Sequence, residues 1–300
     1  MKIQNLDIIK NKSYFLGFSG TLVAFSIVLV LVLGLKAGID LQGGTQWRIA
    51  FQKTDVTESG IQSIVQQASK NTEVIVKKED DGSFLIRTHT MGNDEHQANV
   101  QALRTAFGEF EERNFSSIGP AIGAELKRNA MWAIAAVLFG ISLYIAWAFR
   151  KVSEPVKSWK YGLVTLVTLF HDVMIPTGLL AVLGAWKGIE MDTNFIVALL
   201  VVMGFSVHDT IVVFDRIREN LIRERGKKTP LGDIINYSVK ETFARSVNTS
   251  FTLILVLCAL LVFGPSSLFY FILTILVGTI FGTYSSIFVA SPLLHLWQKK

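Results

Sequence analysis

Residues 193–214 read TNFIVALLVVMGFSVHDTIVVF, an apolar run broken only by the pair His208-Asp209. At about 1.5 Å of rise per residue, a helix of this length crosses the roughly 30 Å hydrocarbon core of a bilayer. Working outward, five more charge-poor stretches have spanning length. They are 13–35, 129–149, 161–186 (interrupted only by His171-Asp172), 246–264 and 267–297. The composition agrees, with half the 300 residues hydrophobic, 18% charged and a mean hydropathy of +0.42. Soluble chains carry about 25% charged residues. The first stretch is too long for a signal-peptide core and no small-residue cleavage site follows it, so it reads as an uncleaved anchor.

Lysine and arginine placement orients the six spans. The N-terminal segment, 150–160, 215–245 and the C-terminal pair together hold seventeen basic residues, and the opposite short loops hold only Lys187. Both termini are therefore expected in the cytoplasm, with residues 36–128 outside; loops beyond about 60 residues escape the charge rule. The formal net charge of +5 follows from this bias, so nucleic acid is not an expected partner. The single cysteine, Cys258, rules out an internal disulfide framework and a cysteine-built metal site. The organisation expected is 1–35 as N-terminus and first span, 36–128 as outside domain, and 129–300 as five further spans with a cytoplasmic loop at 215–245.

The outside segment has the periodicity of a folded α+β domain. Thr45, Trp47, Ile49 and Phe51 alternate with polar neighbours as a half-buried strand. Asp55 and Glu58, in capping-box spacing, precede a helix with Ile61, Ile64, Val65 and Ala68 on one face. A strand at 74–78, the Asp81-Gly82 turn and a strand at 84–88 follow. A second helix carries Val100, Leu103, Phe107 and Phe110, and a last strand falls at 115–118. The order βαββαβ is the ferredoxin-like arrangement. His89 and His96 lack a nucleophile or a ligand cluster around them, so the segment reads as a docking or lever domain.

An intramembrane carboxylate is expensive enough, about 2.5–3.5 kcal/mol on insertion scales, to be a functional candidate by default. Asp172 and Asp209 lie on spans joined by a short loop, which favours side-by-side packing. Each follows a histidine, and adjacent helical residues point about 100° apart, which weakens any metal-site reading. Three readings stand: a proton relay of Asp209, Asp172, His208 and His171; interhelical hydrogen bonding without further function; and, last, an intramembrane aspartyl protease. The protease ranks last because Gly204 to Asp209 lacks the Gly-x-Gly-Asp turn. Arg245, at the start of the fifth span, either snorkels to headgroups or turns inward to a carboxylate.

Other features are plainer. Pro176 is expected to kink the third span, and Gly278 with Gly282 forms a close-packing G-x-x-x-G. The segment 215–245 reads as two helices split near Gly226. The second, from Thr229-Pro230 with Leu231, Ile234, Ile235 and Val239 on one face, is expected to lie on membrane lipid.

The stretches 38–44, 118–123, 170–173 and 204–220 together resemble the SecF family of the bacterial protein-export machinery, related to the proton-driven resistance-nodulation-division transporters. Gly38-Ile39-Asp40-Leu41-Gln42-Gly43-Gly44 is similar to the family's glycine-rich lead-in to the outside domain, with Leu41 where Phe is usual. Gly119-Pro120, within 118–123, resembles its exit motif, and Phe170-His171-Asp172-Val173 its third-span motif. The most specific match is Gly204 to Thr210 followed by Val213 to Asn220. Phe205 and His208 stand where the family commonly has Tyr and Asn, and the match around Arg245 is looser.

The resemblance implies a multi-pass protein of the cytoplasmic (inner) membrane, paired with SecD and associated with the SecYEG channel. It implies no enzyme activity, and a role in completing export of a preprotein at the expense of the proton-motive force. It also implies no cofactor and no metal, with the proton as coupling ion and sodium as an alternative. Asp209 is then the principal proton carrier, Asp172, His171 and His208 are supports, and Arg245 is a charge partner. Gly38, Asp40, Gly43 and Gly44 would form a hinge. Two other functions stay open: a scaffold that stabilises SecD, and a proton-driven small-molecule exporter. The exporter is opposed by the single outside segment of about 90 residues, since such pumps usually carry two large ones.

Overall fold

A computed structural model describes residues 7–52, 55–69, 73–79, 81–150 and 156–298. Lys2, Lys151, Lys299 and Lys300, four of the charges that oriented the spans, lie outside the described residues. The chain forms two compact units, one of Met1–Lys36 with Trp132–Lys300 and one of Ala37–Met131.

In chain order the elements are α1 (Lys12–Leu33), α2 (Ile39–Gln42), β1 (Gly44–Phe51), α3 (Glu58–Ser69), β2 (Ile75–Lys78), β3 (Phe84–Thr88), α4 (Asn93–Phe107) and β4 (Phe110–Ile118). Then come α5 (Pro120–Ala148), α6 (Ser158–Lys187), α7 (Thr193–Arg223) and α8 (Leu231–Phe263). The last stretch is built from a short 3₁₀ turn, α9 (Phe269–Ser285), a π-turn (Ser286–Ala290) and α10 (Ser291–Gln298). Among the described residues six stretches are long and apolar enough to cross a membrane: α1, α5, α6, α7, α8 and Ser266–Trp297.

The α+β unit is a four-stranded sheet in the order β2-β3-β1-β4, every neighbour antiparallel. Alternation along β1 sends Trp47 and Ile49 to one face, where they meet Phe84 and Ile86 of the sheet and Ile61, Val65 and Leu103 of the two helices. Burying each large apolar side chain is worth about 1.5–3 kcal/mol, which makes this face the source of the unit's stability. His96 is a satisfied core histidine. Its Nε2 lies 2.8 Å from Glu112 Oε2, which also accepts from Trp47 Nε1 at 2.8 Å, and its ring packs at a tilt against Phe115.

Two local expectations need correction. Phe110 is not on the second helix: Gly108, with φ 86°, ends α4, and Phe110 opens a strand longer than expected. The cap of α3 is not Asp55 but Thr57, whose Oγ1 accepts from Gly60 N, leaving Glu58 to accept from Lys78 N at 2.6 Å.

In the helical unit α6, α7 and the last stretch are the most enclosed, whereas α1, α5 and α8 expose apolar side chains such as Phe25, Leu31, Trp132, Phe139, Phe251 and Val262. Apolar surface on that scale suits contact with lipid or a partner, not water. The second span starts earlier than the charge gap suggests, because Pro120 serves as the first residue of α5, where a missing N–H costs nothing.

The segment 215–245 corrects a larger expectation. The chain does turn near Gly226, with φ 90°, but α7 runs unbroken to Arg223 and α8 runs unbroken from Leu231 into the fifth span. Ile234, Ile235 and Val239 are buried in the unit's main core beside Ile8, Phe214 and Leu294, so they do not form a membrane-surface face. Asn236 fixes the N-terminal segment there, its Oδ1 accepting from the backbone of Ile8 and Ile9.

Candidate functional site: two buried aspartates held by serines

Asp172 is fully buried in α6, which continues through Pro176. Proline at that position removes the N–H that would bond the Asp172 backbone carbonyl one turn earlier. The carboxylate itself is well partnered. Oδ1 lies 2.8 Å from His171 Nδ1, and Oδ2 accepts from Ser285 Oγ at 2.8 Å and from Ser206 Oγ. The three partners come from three different stretches: α6 itself, α7 and the last span.

Asp209 is also buried, one turn after Ser206 on α7. Its Oδ2 accepts from Ser286 Oγ at 2.5 Å. Each carboxylate is thus held by serine hydroxyls that come from neighbouring helices. Ser206 reaches Asp172 from the helix that carries Asp209, and consecutive serines at the start of the π-turn reach one carboxylate each. A π-turn inserts an extra residue into the helical repeat, and such turns recur at functional sites. Here it accompanies the divergent aim of Ser285 and Ser286.

Close helix contact makes this geometry possible. A Cβ on Gly278 would lie 2.6 Å from Val202 Cγ1, and one on Gly282 would lie 3.2 Å from Ser206 Cβ. The glycine pair therefore lets the last span sit against α7 beside the serines. Across the unit, a Cβ on Gly178 would lie 2.7 Å from Ser26 Cβ, so α1 closes on α6 in the same way.

The histidines separate. His171 is buried, with its ring near Tyr284 and Phe281. His208 is exposed, on the same outward stripe of α7 as Val197, Val201 and Gly204. Arg245 is exposed on α8 and forms no ion pair with either aspartate among the described residues. The structure thus brings together Asp172, His171 and Asp209, and leaves His208 and Arg245 outside that cluster. Ser206, Ser285 and Ser286 are members that the sequence reading missed. Only the spacing of Ser206 three residues before Asp209 hinted at one of them.

Further buried polar atoms have no protein hydrogen-bond partner among the described residues: His171 Nε2, Thr210 Oγ1, Ser246 Oγ and Thr279 Oγ1. Unpaired buried polar atoms cost about 1–3 kcal/mol each. Among the described residues no group of three or more His, Cys, Asp or Glu side chains is placed to hold a metal ion.

The lead-in and exit motifs of the α+β unit meet. Gly38 and Gly43 bracket α2, and Gly43 and Gly44 have φ 81° and 126°. A Cβ on Gly43 would lie 2.8 Å from Pro120 Cα, and one on Gly123 would lie 2.6 Å from Gly43 N. Gly119 has open space and Asp40 sits in the first turn of α2. Gly43 and Gly123 thus serve a close backbone approach.

Residues 99–300 match the family described as protein export membrane protein SecD/SecF, C-terminal. A protein translocase subunit SecF from Thermobaculum terrenum is 41% identical over 98% of this chain and 95% of its own length. One from Sebaldella termitidis is 36% identical, over 98% and 92%. The chain belongs to the SecF family. Its role is accordingly in transport and not catalysis, and it is a multi-pass membrane protein. The fold agrees with a crystal structure of SecDF, a translocon-associated membrane protein from Thermus thermophilus, at a TM-score of 0.84 and 30% identity. That likeness covers all of this SecF-family chain and 40% of the SecDF chain. The protein translocase subunit SecDF of Bacillus subtilis is 29% identical over 98% of this chain and 38% of its own length, so the SecF part can occur fused to SecD.

Proposed function

We propose that this SecF-family chain pairs with SecD in the bacterial inner membrane and uses the proton-motive force to help complete export of preproteins through SecYEG. The observation that carries the reading is the pair of buried aspartates, on adjacent helices and each held by serine hydroxyls. A carboxylate is costly at such depth, and this one is held by groups that stabilise the charged form and adapt to the neutral one. One proton moving across 100 mV supplies about 2.3 kcal/mol, enough to shift a two-state equilibrium more than tenfold. Protonation would bias the helical unit between two arrangements, and the α+β unit, on the outer side with both termini inside, would respond. We read that unit as ferredoxin-like, from its element order and its strand order. Asp209, with its single serine donor, is the proposed proton carrier; Asp172, with three donors, is the proposed anchor of the cluster. The proton is the proposed coupling ion and no cofactor is required.

The test is export of a slowly released precursor in cells depleted of their own SecF, supplied with this protein or its Asp209→Asn form. Assembly on SecD is checked by co-purification. Assembly with stalled export supports proton coupling through Asp209. Assembly with normal export would transfer the role to SecD and leave this chain as a scaffold.

A further inference from the structure

Ser285 and Ser286 have a property in common beyond facing carboxylates. Each hydroxyl has two acceptors within reach and only one proton to give. Ser285 Oγ is 2.8 Å from Asp172 Oδ2 and 3.0 Å from the carbonyl of Gly282. Ser286 Oγ is 2.5 Å from Asp209 Oδ2 and 2.9 Å from the carbonyl of Thr283. In both cases the second acceptor is the backbone three residues earlier on the same helix. Both serines are fully buried, so water does not compete as it would at a surface.

We propose that Ser285 and Ser286 are positioning residues that read the charge states of Asp172 and Asp209 and relay them to the backbone of the last span. This rests on the proton-coupled reading of the same site. When Asp209 is ionised, Ser286 donates to it, and the bond is charge-assisted and strong. When Asp209 takes up a proton, its new O–H becomes a donor and Ser286 Oγ becomes the acceptor. The hydroxyl proton of Ser286 stays on its oxygen and turns to the Thr283 carbonyl. Nothing is gained or lost beyond the one proton on Asp209. Ser285 answers Asp172 in the same way, turning to the Gly282 carbonyl. That carbonyl already accepts from Ser286 N–H at the end of α9, so the hydroxyl's turn falls on the boundary between the α-helical and π-helical repeats.

The location explains why two adjacent serines are needed. In an ordinary helix consecutive side chains diverge by about 100°. That divergence lets neighbours at the start of the π-turn serve Asp172 on α6 and Asp209 on α7. The electrostatic surroundings are sparse, so the carboxylates dominate what the serines sense. From α6 the facing titratable groups are Asp172 and His171, and from α7 Asp209. On the last span itself Tyr284 stacks with His171 and bonds toward α1, and His295 lies two turns beyond the π-turn. Residues 13–33 of α1 and 246–263 of α8 contain no charged residue.

The experiment uses the full chain assembled with SecD and measures export against pH for wild type, Ser286→Ala, Ser286→Thr, Ser285→Ala and Asp209→Asn. Loss of a donor to a carboxylate favours its neutral form. Ser286→Ala is therefore expected to move the midpoint of the pH profile toward alkaline by about one unit, the order of one charge-assisted hydrogen bond. Ser286→Thr, which keeps the hydroxyl, returns it to the wild-type position. Infrared difference spectra would show the carboxyl band of Asp209 altered by Ser286→Ala and that of Asp172 altered by Ser285→Ala. A wild-type pH profile for an assembled Ser286→Ala, with Asp209→Asn inactive, overturns the serine proposal alone. Normal export by Asp209→Asn overturns the proton-coupled reading beneath it. Should Ser286→Ala not assemble, Ser285→Ala decides: an unmoved pH profile and an unchanged Asp172 band reject the proposal.

Discussion

Ser206 on α7 donates its hydroxyl to Asp172 on α6, so the helix that carries one buried carboxylate also holds the other. The bond joins two adjacent helices at a point where neither offers a lysine or arginine. Any change in the position of α7 relative to α6 must either carry this contact along or break it.

Ser206→Ala should therefore lower the stability of the helical unit by about 1–3 kcal/mol, the usual cost of removing one partner from a buried polar group. The effect is read as a drop in the melting midpoint of the detergent-solubilised protein. Ser206→Thr, which retains the donor, should lose less. An unchanged midpoint for Ser206→Ala would mean that the bond does not matter.

Gly278 faces a different constraint. An alanine there would press its methyl to 2.6 Å from Val202 Cγ1. The gain in helix propensity is at most about 1 kcal/mol, and overpacking costs about 1–3 kcal/mol. Gly278→Ala is expected to destabilise, and Gly278→Ala with Val202→Ala to recover more than the sum of the single effects predicts. Additive melting shifts across that cycle would reject the contact.

At the other end of α7, Arg216 grips Glu241 of α8 with two bonds of 2.7 Å, while Asn220 Nδ2 reaches the same carboxylate at 2.8 Å. Paired, fork-shaped geometry is the case in which an ion pair contributes measurably. A double-mutant cycle of Arg216→Gln and Glu241→Gln should give a favourable coupling that shrinks as salt is raised. A coupling insensitive to salt would point to packing instead of charge.

In the α+β unit Asp81 accepts from the hydroxyl of Ser83 at 2.6 Å and from its backbone N–H at 3.0 Å, with Arg113 at 2.5 Å. The hydroxyl bond first, then the backbone bond and the guanidinium, hold this carboxyl below its ordinary value of 3.8. A depressed value in the folded state means the stabilisation is present above pH 3.8 and fades as pH falls through the lower folded value. Corrected for its intrinsic pH dependence, amide exchange at Ser83 should stay slow down to pH 3.8 and accelerate only below it. Acceleration already near pH 5 would contradict the turn as described.

The parts of this molecule that were legible in the sequence are those written in period and charge. The six spans appear as gaps between charges, and the order of strands and helices appears as a switch between alternation and helical spacing. The site was legible in its carboxylates but not in which of the two histidines joins them. His171-Asp172 and His208-Asp209 look alike in sequence, but α6 is enclosed on several sides, whereas α7 leaves the stripe of Val197, Val201 and His208 exposed. Serines within apolar helices carry no mark of which neighbour they will meet, and a π-turn has no residue signature. The face of Ile234, Ile235 and Val239 was legible as amphipathic. Its partner was not, because a helix face covered by protein and one covered by lipid have the same pattern.

The last prediction concerns the joint between the lead-in and exit motifs. Gly43 combines two requirements that a side chain violates independently. Its φ of 81° lies in the region costly for residues with a Cβ, and that Cβ would lie 2.8 Å from Pro120 Cα. Gly123 meets only the second, its Cβ falling 2.6 Å from Gly43 N. Because backbone atoms are the obstacle in both cases, rotamer changes cannot relieve the overlap. Gly43→Ala should therefore cost more than Gly123→Ala, by about 1–2 kcal/mol for the left-handed backbone alone. The ordering is checked by protease resistance of the α+β unit in the full chain at rising urea. If Gly119→Ala, which has open space, proves as damaging as either, then helix start and not close approach governs the joint.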